Sequence, residues 1–185
     1  MRIDSARAAL LLSALALGAC SGGLGPAGSY LVHDQNIVSA GVKVTALTDM
    51  SLARGPAIAS GVEAQVEGRV DGHHDAFGQF RLLMPVGVMR LPRPEQFFIG
   101  YEALLTPGIA RTYVGGRAEL RPAIGVELGL PLRLAGHEPI WRSDDLLGLG
   151  VHLVPSVSAL WFETDTLSIS AAISLRVTVW SALTP

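Results

Sequence analysis

The sequence predicts an all-β domain: an antiparallel up-and-down meander that closes into a barrel of about eight strands. Three observations carry this expectation. Apolar and polar residues alternate with a period of two in several segments, as in strands with two unlike faces. No helical period survives beyond the N-terminal segment. The connections between segments are short, which leaves no room for the long crossovers that parallel strands need.

The first element is not part of that domain. Arg2 and Arg7 precede an apolar run from Ala8 to Ala19. Such a run is too short to span a bilayer comfortably as a helix and fits the apolar region of a secretory signal. Small residues lead to Cys20, the single cysteine, so no intrachain disulfide can form. The segment Leu17-Gly18-Ala19-Cys20 resembles the lipobox of bacterial lipoproteins. That resemblance implies cleavage before Cys20 and a lipidated cysteine bearing acyl chains of the palmitate kind, which supply membrane affinity. Ser21, rather than Asp, follows the cysteine, which by the same resemblance implies sorting to the outer membrane of a Gram-negative envelope. SGGLGPAGS, residues 21–29, reads as a flexible tether. The expected division is 1–19 signal peptide, 20–36 lipidated cysteine and tether, and 37–185 barrel.

The strands follow in order. Residues 37–48 read as a strand around VKVTALT. In 61–71, Val62, Ala64, Val66 and Val70 oppose Glu63, Gln65, Glu67, Arg69 and Asp71. Residues 77–91 form one strand or two halves near Pro85. In 96–105, Phe97, Ile99, Tyr101, Ala103 and Leu105 share a face. Two strands, 110–119 and 123–134, come next, divided near Pro122, which cannot donate to a ladder. Residues 148–162 form a strand extended by Leu147. The clearest case is last: in 167–180, Leu167, Ile169, Ala171, Ile173, Leu175, Val177 and Val179 oppose Ser168, Ser170, Ser174, Arg176 and Thr178.

Alternation alone does not say which face is inside. A soluble barrel or sandwich buries its apolar face, whereas an outer-membrane barrel turns it to lipid and fills its interior with polar side chains. Several segments run longer than an average soluble strand and match the roughly 9–11 residues that a membrane strand needs. Charged residues are only 16% of the chain, below the usual quarter, and Lys43 is the single lysine. The charges lie on the polar faces: Glu63, Glu67, Arg69, Arg81, Glu102, Arg117, Glu119, Arg121, Glu127 and Arg176. Together they are expected to form an interior network of paired ions, because a buried charge is costly unless paired. Tyr101, Tyr113, Trp161, Phe162 and Trp180 fall toward strand ends, as interfacial aromatics do. In pattern and size the region resembles small eight-stranded outer-membrane barrels of the OmpA-like and OmpX-like families. It departs from them in its lipobox and in ending Trp180-Ser-Ala-Leu-Thr-Pro185 rather than on an aromatic residue.

The chemistry is sparse. Without the first 19 residues the chain holds 12 basic and 15 acidic residues. No basic block with interleaved aromatics appears, which argues against nucleic acid. His73, His74 and Asp75 read as a solvated turn rather than metal ligands, and no cofactor motif is present. His152 and Ser156 share a strand face but stand four residues apart, too far for a hydrolase pair. The loop from Gly136 to Asp145, centred on Trp141, is the candidate contact site. The expected function is a lipid-anchored outer-membrane β-barrel with a structural or interaction role. Membrane lipid is its expected partner, together with a second envelope protein. Two alternatives stay open: a soluble, periplasm-facing lipidated β domain that binds an apolar ligand or a protein, and an envelope lipid hydrolase.

Overall fold

The computed structural model describes residues 19–32, 37–50, 56–70, 79–92, 99–114, 117–137, 147–162 and 166–181. The elements are β1 (Ala19–Val32), β2 (Ile37–Met50), β3 (Ala57–Arg69), β4 (Gln79–Leu83), β5 (Val86–Arg90), β6 (Tyr101–Leu105), β7 (Gly108–Val114), β8 (Arg117–Gly129), β9 (Leu132–His137), β10 (Leu147–Phe162) and β11 (Leu167–Ser181). Three pairs are halves of single strands. β4 and β5 both pair with β3, β6 and β7 both pair with β8, and β8 and β9 both pair with β10. Counting each pair once gives an antiparallel meander of eight strands. β1 pairs with β2 on one side and β11 on the other, which closes the ring and leaves no edge.

The prolines explain the halves. Pro85, Pro107 and Pro131 stand at the three breaks, where each lacks the N–H that a ladder requires. Their carbonyls still accept from the preceding strand: Gly61 N donates to Pro85 O at 3.0 Å, Met84 N to Pro107 O at 2.7 Å, and Gly100 N to Pro131 O at 2.7 Å. Pro155, inside β10, accepts in the same way from Leu130 N at 3.0 Å.

The registers fix the size of the ring. From Cys20 the matched residues run Thr48, Ser60, Val86, Leu105, Val126, Ala159 and Ile169, and return to β1 at Tyr30, ten residues further on. Eight strands with that stagger tilt by roughly 40° and leave an interior that side chains can fill.

Burial is inside out. The outward face carries Leu24, Val42, Val44, Val62, Val66, Val126, Leu128, Val157, Leu175 and Val177, all exposed. The inward face buries Lys43, Glu63, Gln65, Glu67, Arg81, Glu102, Glu127, His152 and Arg176. Ile173 is 52% exposed and its neighbour Ser174 only 3%. A water-soluble sheet requires the opposite, so the face assignment on which the soluble alternative rests is reversed. Inward apolar side chains form two satellites, one around Leu83, Leu160 and Phe162 and one around Ala59, Met89 and Leu104. No helix among the described residues is long and apolar enough to cross a membrane, a statement that does not bear on strands.

Two expectations about the elements need correction. Residues 19–32 are a wall strand, not a tether, so the barrel starts well before residue 37. Small residues on both faces of β1 hide its alternation: Ser21, Gly23, Ala27 and Ser29 point in, while Gly22, Pro26 and Gly28 point out among Leu24 and Tyr30. Gly25 is required there, because a Cβ would lie 1.9 Å from the Ile173 carbonyl oxygen of β11. The second correction concerns 96–105 and 110–119. Residues 101–114 are one strand interrupted at Pro107, and Val114 pairs with Arg117, so 110–119 spans parts of two antiparallel strands. One strand missed and one counted twice left the total at eight.

Candidate functional site

The feature with chemistry is the lumen. Alternation sends every second residue inward, and the ten-residue stagger brings charges from distant strands to one level. Three groups result. On β11, Arg176 Nη1 and Nη2 donate to the two carboxylate oxygens of Glu102 on β6 at 2.5 and 3.2 Å. This is the two-pronged geometry that guanidinium and carboxylate favour. On β2, Lys43 Nζ lies 3.0 Å from Glu63 Oε2 and donates to Glu127 Oε1 and Oε2 at 2.5 and 2.6 Å. β2 and β8 are four strands apart in a ring of eight, so Lys43 spans the full width to reach Glu127.

The third group is larger and mostly uncharged. Glu67 accepts hydrogen bonds from Ser29 Oγ, from Ser39 Oγ at 2.6 Å and from Gln65 Nε2 at 2.5 Å. Arg81 donates from Nε and Nη2 to Gln79 Oε1 at 2.8 and 2.5 Å, and from Nη2 to Ser168 Oγ at 2.6 Å. The participants sit on β1, β2, β3, β4 and β11. The buried charges among the described residues are thus three cations and four carboxylates. A lumen crossed in this way is a braced interior rather than an open pore.

Of the ten expected network residues, Glu63, Glu67, Arg81, Glu102, Glu127 and Arg176 are fully inside. Glu119 and Arg121 form a half-exposed rim pair, with Arg121 Nη2 at 2.5 Å from Glu119 Oε2. Arg69 is half-buried near the end of β3. The side chain of Arg117 and the whole of Trp141 lie outside the described residues, as do His73, His74 and Asp75. Within that network Arg176 pairs with Glu102, because the stagger sets β11 level with β6. The expected network left out Lys43, Gln65, Gln79 and His152, which are buried in the lumen. A lone lysine on an alternating strand was the available signal for the first. His152 is fully buried, and Ser156 lies four residues along the same strand, roughly 13 Å away at strand rise. Among the described residues no group of three or more His, Cys, Asp or Glu is placed to hold a metal.

The outer surface is equally defined. Among the described residues, the exposed charges on the outward face are Arg90 and Arg111. They stand at opposite ends: Arg90 closes β5, and Arg111 pairs with Phe80 at the start of β4. The ten residue steps from Phe80 to Arg90 span roughly 25 Å of barrel height once tilt is included, the height of a membrane barrel's apolar band. Tyr30 and Trp161, with Phe80, face outward at the end away from the chain termini, and Tyr101 does so at the other. Tyr101 and Trp161 are outward as expected of interfacial aromatics, but Phe162 is buried; Tyr113 and Trp180 lie beyond the described side chains. Cys20 is exposed, at the start of β1, between Thr48 and Val179.

No protein-family model matches the chain, and no curated protein matches it. Among solved structures the chain is similar to Ail, the attachment invasion locus protein of Yersinia pestis, with a TM-score of 0.50 and 12% identity over 87% of this chain and 98% of that one. It is also similar to Neisserial surface protein A, at a TM-score of 0.48 and 12% identity over 88% and 99% of the two chains. The likeness to Ail is one of fold: an all-β antiparallel meander closed into eight strands.

Proposed function

We propose that this chain is an outer-membrane β-barrel with a structural or interaction role in the cell envelope, acylated at Cys20. One observation supports the reading above others. A continuous aliphatic exterior, free of described charges between Arg90 and Arg111, surrounds a lumen that holds the ion pairs. In water such a surface far exceeds the apolar patches that soluble monomers expose. In a bilayer it is the favourable arrangement, and closure of the ring satisfies the backbone. Membrane lipid is then the first partner, and a second envelope protein reaches the barrel at its ends. Cys20 supports the acylation: its thiol is exposed on the lipid-facing side at the barrel's end.

Spin labels at Ile173 and Ser174 test the reading in refolded full-length protein. Lipid-soluble relaxation agents are expected to reach the label at 173 and not the one at 174, and the unheated protein to migrate differently from the boiled one on a gel. A label at 173 shielded from lipid, in a protein soluble without detergent, would overturn it. For Cys20, mass spectrometry of the envelope-extracted protein should find acyl mass on the N-terminal cysteine. Cys20→Ala should lose it yet remain in the membrane fraction, because the strands themselves span.

A further inference from the structure

The lumen does not balance its own charge. Among the described residues it buries Lys43, Arg81 and Arg176 against Glu63, Glu67, Glu102 and Glu127. Arg176 is matched to Glu102. The strongest attraction on Arg81 comes from Glu67, ahead of Glu63 and Glu127. Lys43 of β2 is left between two carboxylates, Glu63 of β3 and Glu127 of β8, each residue at most 3% exposed. One ammonium neutralises one of them.

The two carboxylates are not held alike. Lys43 Nζ donates to both oxygens of Glu127, at 2.5 and 2.6 Å, and reaches a single oxygen of Glu63, at 3.0 Å. Ser156 of β10 hydrogen-bonds Glu127 as well. Glu63 and Glu127 are also in hydrogen-bond contact with each other. Ionised carboxylates only accept hydrogen bonds and repel one another, so such a contact needs a proton on one of the pair. Glu127, the better satisfied as an anion, is the acceptor and Glu63 the donor. No other facing group replaces that proton. Gln65 is uncharged and donates to Glu67. His152 of β10 stands in register between Arg133 and Arg176, where a further positive charge is repelled. Arg133 itself donates to the Gly136 carbonyl near the end of β9. Arg69, Glu119 and Arg121 are part-exposed at the opposite rim, and the described residues of β1, β5 and β7 turn no ionisable side chain inward.

We propose that the mid-lumen is a proton-binding site: Glu63 keeps its proton at neutral pH and donates it to Glu127, so that the cluster with Lys43 carries no net charge. Losing that proton strands a charge at the centre of the barrel, far from water at either end, and the fold weakens as pH rises. The proposal rests on the membrane-barrel reading above and adds a pH-dependent lumen to it.

The test uses full-length protein refolded into a detergent that has no carbonyl group, with folding scored by the heat-dependent gel shift. At neutral pH the infrared spectrum of the folded protein should contain the carbonyl stretch of a protonated carboxylic acid, and Glu63→Gln should abolish it. In urea titrations between about pH 5 and 7, the unfolding equilibrium constant of wild type relative to that of Glu63→Gln should rise about tenfold per pH unit, because the unfolded chain releases the proton that the folded lumen holds. An ionised Glu63 gives no acid band and a ratio that does not change with pH across that window, and either result overturns the proposal. Should the variant fail to show the folded band, the acid band of wild type still decides. Folded wild type without that band overturns this proposal alone. Wild type that never gives a heat-sensitive folded band overturns the membrane-barrel reading with it.

Discussion

Arg176 and Glu102 show what single residues do here. Each is buried, and each has the other as its ionic partner. Removing one leaves an uncompensated charge in the lumen, a change that typically costs about 3–5 kcal/mol. Glu102→Ala is therefore expected to lower the stability of the folded barrel by that order, read as a shift in the urea midpoint of the folded gel band. Replacing both, as Arg176→Met with Glu102→Leu, should restore most of the loss, since a buried pair exchanged for apolar residues is often neutral. Inward charge was legible in the sequence because period-two alternation assigns a face to each residue. Pairing was not, because it depends on the stagger between strands that no single strand encodes. Glu102 illustrates this: its face follows from Tyr101 and Ala103 beside it, but its partner lies 74 residues away on β11.

Among the elements, the prolines divide the wall into two kinds. β2, β3 and β11 contain none, β1 is crossed by Pro26, and the strands from β4 to β10 are each cut or crossed by Pro85, Pro107, Pro122, Pro131 or Pro155. Every such residue removes one donor from its ladder. Amide hydrogen exchange of the folded protein should accordingly be faster around Met84, Thr106 and Leu130 than at the middle of β2 or β3; equal protection would count against a weakened wall. The seam between β1 and β11 is sensitive in another way. Gly25→Val places side-chain atoms against the Ile173 carbonyl and is expected to abolish the heat-sensitive folded band, while Gly22→Val, where a Cβ meets nothing within 4 Å, should keep it. β1 escaped the sequence reading for the same reason that it closes the ring: glycine, serine and alanine allow close approach and carry no hydropathy signal. The long β10 and β11 were legible because their outward residues are branched or large.

The whole molecule places its apolar band on the outside, and the cost of interrupting that band depends on depth. Ile173→Arg, at mid-height, should destabilise the barrel by about 2–4 kcal/mol in a bilayer, and Val179→Arg, near the end of β11, by about 0–1 kcal/mol. Refolding titrations in vesicles would check the difference; equal costs at both depths would argue against a spanning barrel. The band's existence follows from strand length and sparse charge, which the sequence displays; its outward direction needed the closed ring. The same ring changes what an acyl group at Cys20 can do. β1 is paired on both sides at Cys20 itself, so the thiol has no leash on which a globular body could swing. If Cys20 is acylated as proposed, its chain would be a fixed stave-end beside Val179. Under that proposal it would hold the first strand at the bilayer while the last docks, and so would act as an aid to closing the seam rather than a mooring line.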